Sequence, residues 1–349
     1  MLPSNSYPNA SIPRPSVRFG LPHAKLFLQF QSPNSIPVIS VQRRSTWDHP
    51  IYVEPPFVES SLNIKFPALA VIFYLLIVPL LNRVNKRRGF RPWLGCRTAF
   101  FRLFVLAHNV FLAILSLWVF LGMCKKIHDF LPTTTDRNYY LAQTVDLLCN
   151  LEPHIYLQHE EPIGLLYEFA SFVWVFYLSK IYELVDTLIL LAKGKQATTL
   201  QIYHHAGIVM CGWLAIRCRS PPAVPTIILN SGIHTLMYSY YALKTMNIHV
   251  PLVVKKNLTR MQIAQFFIAL LLGWLYFFAK YDIPLNVDSP GKGESNSNTP
   301  QQFETIPCLN TSGVGVLGLI GTLYVVPLAC LFVQFFVKSY NPSLKRKMQ

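Results

Sequence analysis

The amino-acid sequence predicts an all-α, multi-pass membrane protein with about seven transmembrane helices. The 349 residues have a mean hydropathy of +0.33, and only 13% of them are charged, which is about half the share found in soluble domains. Short clusters of Lys and Arg lie beside long apolar runs. Seven of these runs are long enough to cross a bilayer, which takes about 20 residues, and they lie near residues 64–82, 103–124, 165–191, 200–217, 223–243, 260–279 and 313–337.

The regions outside the seven runs differ from them in composition. Residues 1–63 are rich in Pro, Ser and Asn and contain no acidic residue before Asp48. This composition is similar to that of an organellar transit segment, but the frequent prolines would break an amphipathic helix. We therefore expect a disordered tail over residues 1–63, a seven-helix membrane domain over residues 64–338 and a basic cytosolic tail over residues 339–349.

The distribution of Lys and Arg over the short loops predicts the orientation of the chain, because cytosolic loops carry an excess of these residues. One side of the predicted helices has Arg83, Lys86, Arg87, Arg88, Arg91, Arg97, Lys193, Lys195, Lys244, Lys255, Lys256, Lys338, Lys345, Arg346 and Lys347. The opposite short loops have only Lys125, Lys126, Arg137, Arg217, Arg219, Lys280 and Lys292. We therefore expect a cytosolic C-terminus and an N-terminus on the far side. This distribution also accounts for the net charge of +15, so we expect no nucleic-acid partner.

Two of the seven cysteines, Cys149 and Cys308, fall in the two longer loops on the predicted non-cytosolic side. In a secretory lumen they could form a disulfide, and two unrelated free thiols fit the sequence equally well. No CxxC pair is present, which argues against a zinc ribbon or a thioredoxin-like site. The sequence also lacks the GxxxxGKS/T motif of nucleotide-binding loops.

Two adjacent histidines occur in the fourth apolar run, within Gln201-Ile202-Tyr203-His204-His205. In a helix, Gln201 lies three and four residues before His204 and His205, so the three polar side chains share one surface. Polar side chains on a membrane helix are costly unless they face a cavity or a polar partner. We therefore interpret these three residues as part of a functional site.

The third run carries an ionisable stripe of Lys180, Glu183, Asp186 and Thr187. Their spacing of three to four residues places them on one face of a helix. A single charge at a helix end can extend to the membrane surface, but three charges in register inside an apolar run indicate a site or its support. A structural salt bridge between helices is the alternative.

Two later runs carry further polar side chains at helical spacing. In the fifth run they line one face and comprise Asn230, His234, Met237, Tyr238 and Tyr241. A lone His of this kind is more often a hydrogen-bond partner between helices than a catalyst, but a second polar helix alongside it favours a site. The sixth run opens with Thr259, Gln262 and Gln265, which fit helix packing nearly as well as substrate contact.

The four sets of residues together resemble the motifs of the ELO family of very-long-chain fatty acid elongases, which are 3-oxoacyl-CoA synthases. The resemblance covers about residues 60–345 and is strongest to the fungal branch, which acts on long or polyunsaturated acyl chains. One position departs from the family pattern, because the His box usually reads HxxHH and Gln201 occupies its first position. Gln can donate or accept a hydrogen bond but is neither a general base nor an ordinary metal ligand. We therefore expect His204 and His205 to perform the chemistry, with Gln201 positioning one of them.

The resemblance implies the condensing step of fatty acid elongation, in which acyl-CoA and malonyl-CoA give 3-oxoacyl-CoA, CoA and CO2. It implies that His204 accepts the acyl group as an acyl-imidazole, with His205 and His234 as acid, base or oxyanion partners. A ring of membrane helices would enclose an apolar tunnel for the acyl chain. No cofactor and no metal is expected. The expected supporting residues are Lys180, Glu183, Asp186, Gln201, Asn230, Tyr238, Tyr241 and Gln262.

The basic residues at the cytosolic mouth are candidates for contact with the CoA phosphates, although the positive-inside rule explains most of them. They are Lys193, Lys195, Lys244, Lys255, Lys256 and Arg260. The expected location is the endoplasmic reticulum membrane, because Lys345 and Lys347 resemble a dilysine retrieval signal; a basic flank of the last helix is the alternative. The expected partners are acyl-CoA and malonyl-CoA, the membrane lipids, the other enzymes of the elongation cycle and a second copy in a homodimer.

Two other classes of function also fit parts of the sequence. A membrane di-iron desaturase or hydroxylase uses an HxxHH box but needs many imidazoles. The remaining histidines of this chain, such as His108, His128 and His249, are scattered singly. A seven-helix transporter or receptor would bind a ligand at the polar stripe without performing chemistry.

Overall fold

The structure is a computed structural model that describes residues 14–28, 55–149, 165–284, 302–309 and 312–340. Within these residues, the strands are β1 (Val17–Phe19), β2 (Ala279–Pro284) and β3 (Phe303–Pro307). The helices are α1 (Lys25–Leu28), α2 (Pro55–Leu62), α3 (Lys65–Arg87), α4 (Ala99–Asp129), α5 (Arg137–Cys149), α6 (Leu165–Tyr182), α7 (Leu184–Ala192), α8 (Thr199–Arg217), α9 (Ala223–Thr245), α10 (Leu252–Phe278) and α11 (Ser312–Tyr340).

Each predicted crossing coincides with helical structure. Six of them match α3, α4, α8, α9, α10 and α11, and the third matches α6 together with α7. Among the described residues, α3, α4, α10 and α11 are long and apolar enough to cross a membrane, judged by length and composition. The prediction of an all-α membrane protein is thereby confirmed, whereas the count of seven crossings remains a prediction.

The third crossing is interrupted at Glu183, between α6 and α7. The Glu183 N–H donates to the Ser179 carbonyl at 2.8 Å in the ordinary helical pattern, but the Asp186 N–H donates to the Glu183 carbonyl, only three residues back, at 3.0 Å. A hydrogen bond over three residues tightens the turn. The winding of the helix therefore changes within the charged stripe.

The interior of the bundle is apolar where α4, α6 and α9 meet. Gly122 of α4 allows the close approach of α6, because a Cβ atom at this position would lie 2.2 Å from the Phe172 ring. Small residues at such contacts let helices pack tightly, which stabilises helix association inside a membrane. The buried side chains here include Val119, Met123, Phe169, Phe172, Phe176, Val224 and Ile227.

Polar contacts join the ends of α3 and α7 to the loop that precedes α4. The buried Asn85 side chain donates to the Leu191 carbonyl at 2.7 Å and accepts from the Trp93 indole N–H at 3.0 Å. Gly194 has a φ of +73°, and a Cβ atom there would lie 2.4 Å from the Phe90 carbonyl oxygen. Glycine at this position therefore allows the two loops to touch.

A three-stranded antiparallel sheet in the order β1-β2-β3 lies at the opposite end of the bundle, where α10 ends and α11 begins. Strand β1 belongs to the region for which disorder is expected, yet Val17 pairs with Tyr281 and Phe19 with Ala279. Strand β1, α1 and α2 are thus regular elements within the region for which disorder is expected, and the disordered tail stays a prediction. Strand β1 forms because β2 offers it backbone partners. Residues 1–13 and 29–54 of this tail lie outside the described residues.

A disulfide joins Cys149 at the end of α5 to Cys308 after β3, with 4.8 Å between their Cα atoms. The sequence leaves open a disulfide or two free thiols at these positions, and the structure contains the disulfide. Beside the disulfide, the buried Tyr281 hydroxyl donates to an Asp146 carboxylate oxygen at 2.7 Å. The disulfide and this hydrogen bond connect α5 to the sheet.

Candidate active site

A buried ion pair lies where α6 meets α7. Lys180 and Glu183 are each 1% exposed, and the Lys180 Nζ lies 2.6 Å from the Glu183 Oε1. His234 of α9 completes a triangle, because its Nδ1 is 3.4 Å from the Lys180 Nζ and 3.5 Å from the Glu183 Oε1. The Lys180 ammonium also lies 4.4 Å from the centre of the Phe176 ring, a cation–π contact. The structure thus brings together residues from two predicted motifs.

The second oxygen of Glu183 distinguishes this ion pair from a purely structural one. A charge in the middle of a membrane costs about 3 kcal/mol on insertion scales, and pairing with Lys180 offsets part of that cost. The Glu183 Oε2 is nevertheless buried, and it has no hydrogen-bond partner among the described residues. Buried polar atoms are normally hydrogen-bonded, so the free Oε2 favours a binding or catalytic site over a structural salt bridge.

A second, partly buried network connects α4, α7 and α9. One Asp186 oxygen lies 2.7 Å from the His108 Nε2, and the other accepts from the Tyr238 hydroxyl at 2.6 Å. The His108 Nδ1 is 3.2 Å from the Tyr182 hydroxyl. Sequence reasoning missed His108 and treated it as an isolated histidine. The sequence signal that could have identified His108 is its position in the middle of an apolar run, where an ionisable side chain indicates a polar partner.

His205 faces the interior of the bundle from the second turn of α8. It is 7% exposed, and its ring centre lies 6.2 Å from that of Tyr74 in α3. The Tyr74 hydroxyl is 3.0 Å from the Thr187 Oγ1, so Tyr74 connects the His box to the charged stripe. The His205 Nδ1 is buried, and the described residues offer it no hydrogen-bond partner. Tyr74 was also missed, because a single Tyr in an apolar run carries no sequence signal.

His204 is more accessible than His205 and lies beside it, with 5.4 Å between the ring centres. The Tyr324 hydroxyl of α11 lies 3.3 Å from the His204 Nδ1 and donates to the His204 backbone carbonyl at 3.0 Å. Gln201 lies in the first turn, where its N–H donates to the Thr198 Oγ1 at 3.3 Å. Thr198 and Gln201 have the spacing of a helix capping box, so helix initiation is a second role for Gln201.

The other supporting candidates lie around these networks at different depths. Asn230 is 8% exposed, and its Oδ1 has no hydrogen-bond partner within the described part of the chain. The Gln262 Nε2 lies 3.2 Å from the Met237 sulfur. Tyr241 is 43% exposed and contacts the edge of the Tyr238 ring, with 6.2 Å between ring centres. Tyr241 is thus at the margin of the site.

The basic candidates all lie at the end of the bundle from which α8 starts. Lys193 and Lys195 are in the α7–α8 connection, Lys244 is in the last turn of α9, and Lys255, Lys256 and Arg260 are in the first turns of α10. With a rise of 1.5 Å per residue, His204 lies about 8 Å along α8 from this end. His204 and His205 are therefore near the same end of the bundle as the predicted phosphate contacts, whereas His234 lies in the middle of α9.

The arrangement is suited to reactions of a nucleophilic imidazole. His204 is partly exposed, and the buried His205 and His234 rings lie nearby. The Glu183 Oε2 and the Asn230 Oδ1, which have no hydrogen-bond partner among the described residues, supply further polar groups. An imidazole is nucleophilic near neutral pH. In the parts of the chain that the structure describes, no three His, Cys, Asp or Glu side chains are grouped as the ligands of a metal ion would be.

Comparison with known proteins places the chain in a family. The sequence profile of the ELO: GNS1/SUR4 family matches residues 60–348. "Fatty acid elongase A" of Dictyostelium discoideum is 26% identical over 288 residues, which are 82% of this chain and 87% of that protein. "Very long chain fatty acid elongase 3" of Homo sapiens is 24% identical over 233 residues, 65% and 74% of the two chains. "Very long chain fatty acid elongase 2" of Mus musculus is 41% identical over 103 residues, 28% and 35% of the two chains. Because the profile covers most of the chain and all four motifs, this protein belongs to the ELO: GNS1/SUR4 family.

Proposed function

We propose that this protein is a fatty acid elongase that catalyses the condensation of acyl-CoA with malonyl-CoA to 3-oxoacyl-CoA, CoA and CO2. The names of its relatives support the reaction class. The observation that carries the proposal is the buried triangle of Lys180, Glu183 and His234 inside apolar helices, with one carboxylate oxygen that has no partner among the described residues. Tyr74 contacts both Thr187, which belongs to the charged stripe, and His205, which belongs to the His box. The charged stripe is thereby connected to the His box.

The proposed reaction has two covalent steps. In the first, an unprotonated His204 nitrogen attacks the thioester carbonyl, the C–S bond breaks, and CoA leaves as a thiolate. In the second, malonyl-CoA loses CO2, and the electron pair of the broken C–C bond forms the new bond to the acyl carbon. The C–N bond to His204 then breaks, and its electron pair returns to the imidazole. Atoms and charges balance, because the malonyl carboxylate leaves as CO2 and the negative charge ends on CoA.

The surrounding residues have supporting roles in this proposal. His205 and His234 would act as acid, base or oxyanion partners. The Lys180–Glu183 pair positions His234, and Asp186 orients Tyr238 through the 2.6 Å hydrogen bond. A developing oxyanion requires donors that are already in place, and the amides of Asn230 and Gln262 are candidates. Gln201 and Tyr241 would support the site from its margin.

The basic residues at one end of the bundle indicate the side from which CoA would bind. CoA is polyanionic, and Lys193, Lys195, Lys244, Lys255, Lys256 and Arg260 would meet its phosphates at the cytosolic mouth. The acyl chain would lie in an apolar tunnel between the helices. We propose an endoplasmic reticulum location, with a cytosolic C-terminus whose Lys345 and Lys347 act as a retrieval signal; these two residues lie outside the described residues. Other elongation enzymes and a second copy of the chain are the proposed protein partners.

Membranes from cells that express the protein would test the reaction with malonyl-CoA labelled in its free carboxyl carbon. We expect labelled CO2 only when acyl-CoA is present, at rates well above those of membranes without the protein. Malonyl-CoA labelled at its methylene carbon should, in parallel, transfer label to a chain two carbons longer. Saturable acyl-CoA binding with no CO2 release would contradict the proposal and would indicate a transporter or receptor.

A further inference from the structure

We propose that Tyr324 is a positioning residue that determines which ring nitrogen of His204 carries the proton, so that the Nε2 is the nucleophile. This inference rests on the proposed function of His204 as acyl acceptor. It concerns a residue in α11 that lies outside the four sequence motifs.

The number of hydrogens on a hydroxyl group supports this assignment. The Tyr324 hydroxyl donates to the His204 backbone carbonyl oxygen at 3.0 Å. A phenol has a single hydrogen to donate, so its oxygen can only accept from the His204 Nδ1, which lies 3.3 Å away. The hydrogen is therefore on Nδ1. In a neutral imidazole the other nitrogen, Nε2, then carries the lone pair.

The packing of α8 against α11 determines the place of the Tyr324 ring. The ring stacks on Tyr203, with 5.5 Å between the centres, and the Tyr203 hydroxyl donates to the Tyr324 carbonyl at 3.1 Å. The opposite contact is made by Gly207, where a Cβ atom would lie 2.1 Å from the Tyr324 Cε2. Tyr324 donates to the backbone of His204 while Tyr203 donates to the backbone of Tyr324, so the two hydroxyls tie the two helices to each other.

This geometry favours the transition state over the ground state. When the Nε2 attacks the thioester carbonyl, positive charge develops on the imidazole ring, and the Nδ1–H becomes a stronger donor to the Tyr324 oxygen. Hydrogen bonds that involve a charged group are stronger than neutral ones. Interactions that strengthen in the transition state raise kcat rather than lower KM. Tyr324 should therefore affect the acylation rate and leave acyl-CoA binding almost unchanged.

The test is Tyr324→Phe, which keeps the ring and removes the hydroxyl. With purified full-length protein, we expect kcat for labelled CO2 release to fall about 10- to 100-fold, as for the loss of a hydrogen bond to a charged group. The KM for acyl-CoA should change by less than about twofold. The rate at which radiolabelled acyl-CoA labels the enzyme, measured without malonyl-CoA, should fall by the same factor as kcat. Tyr276→Phe makes the same chemical change in the buried cluster around the disulfide and should match the wild type.

A second variant tests the same contact from the other side. Gly207→Ala keeps the Tyr324 hydroxyl in the chain but displaces the ring that carries it, because the new Cβ atom would lie 2.1 Å from the Tyr324 Cε2, so it should lower kcat as well. The double variant should be no slower than the slower single variant, since both substitutions remove the same hydrogen bond, the one between the His204 Nδ1 and the Tyr324 hydroxyl. A Tyr324→Phe enzyme with wild-type kcat, a change confined to KM, or an equal loss in Tyr276→Phe would overturn the inference. A wild-type enzyme that releases no label from malonyl-CoA would refute the proposed function itself, and this outcome is distinguishable from all the others.

Discussion

At the scale of single residues, His204 is the proposed acyl acceptor, and the neighbouring His205 is too buried to replace it. We expect His204→Ala to reduce condensation about a thousandfold or more, as is usual for the loss of a catalytic nucleophile. The amount of protein in the membrane should not change. His249→Ala, at an exposed position in the α9–α10 connection, is the control. Activity close to that of the wild type in His204→Ala would show that another group accepts the acyl chain.

A substitution at the first position of the His box is expected to preserve activity. Gln201→His creates the commoner family pattern at a half-buried position in the first turn of α8. We expect condensation activity comparable to that of the wild type in the labelled-CO2 assay, since His can also donate or accept a hydrogen bond. Complete inactivity of a well-expressed protein would mean that Gln201 has a role that His cannot fill.

His108 is the histidine whose role only the structure reveals. In His108→Ala, the partly buried Asp186 carboxylate loses its 2.7 Å partner, which should lower the free energy of unfolding by about 1–3 kcal/mol. In His108→Gln, the amide Nε2 can donate to the same carboxylate, so this variant should recover most of the loss. Thermal unfolding in detergent measures the difference. Equal stability of the two variants would show that the Asp186–His108 contact contributes little.

At the scale of elements, Asp282 attaches β1 to the sheet. Its carboxylate accepts from the Ser16 N–H at 2.9 Å, from the Ser16 hydroxyl at 2.7 Å and from the Thr305 hydroxyl at 2.6 Å. Burial raises the pKa of Asp282, but these hydrogen bonds outweigh it and hold the pKa below its ordinary value. The charged carboxylate is therefore the form that holds β1 in place.

The sign of the pH effect follows from this lowered pKa. The contribution of Asp282 is complete above the ordinary Asp pKa of about 3.9 and is lost as the pH falls through the lower pKa of the folded state. We expect the protection factors for hydrogen exchange at Val17–Phe19 to fall in that range, and Asp282→Asn to lower them already at neutral pH. Arg18→Ala should have little effect, because Arg18 is an exposed partner 3.7 Å away. Protection factors in β1 that change neither with pH nor in Asp282→Asn would contradict this role.

At the scale of the whole molecule, the disulfide and the basic residues lie at opposite ends of the bundle. Disulfides persist in oxidising compartments, and loops rich in Lys and Arg face the cytosol. Both features favour the same orientation, with the Cys149–Cys308 end in the lumen and the Lys193–Lys195 end in the cytosol. The sheet, the disulfide and α5 would then form the luminal side of the protein.

Glycosylation sites test this orientation. Asn257-Leu258-Thr259 is an acceptor sequence in the first turns of α10, at the proposed cytosolic end, and it should never carry a glycan. Asn298→Ser creates an acceptor at Asn296, between β2 and β3 and outside the described residues, and this site should be glycosylated. The other two acceptor sequences, Asn9-Ala10-Ser11 and Asn310-Thr311-Ser312, are removed by Asn9→Gln and Asn310→Gln, and mobility on gels before and after endoglycosidase treatment then measures both sites. A glycan on Asn257 would invert or rearrange the topology.

The sequence by itself determined the class of the protein and most residues of the candidate site. Apolar length and the positions of Lys and Arg are local properties, and so is the spacing of Lys180 and Glu183 on one helix face. Each of these can therefore be predicted from neighbours along the chain. The family resemblance, carried by the four motifs, is confirmed over residues 60–348.

The tertiary structure decided which helix faces meet, because that depends on packing between residues far apart in the chain. The joining of His234 to the Lys180–Glu183 pair, of His108 to Asp186 and of Tyr324 to His204 all cross from one helix to another. Gly122 and Gly207 leave room for the Phe172 and Tyr324 rings, respectively. Which side chain lies opposite each glycine depends on the packing of the helices. The same holds for Cys149 and Cys308, 159 residues apart, whose pairing depends on the sheet that brings the ends of α5 and β3 together.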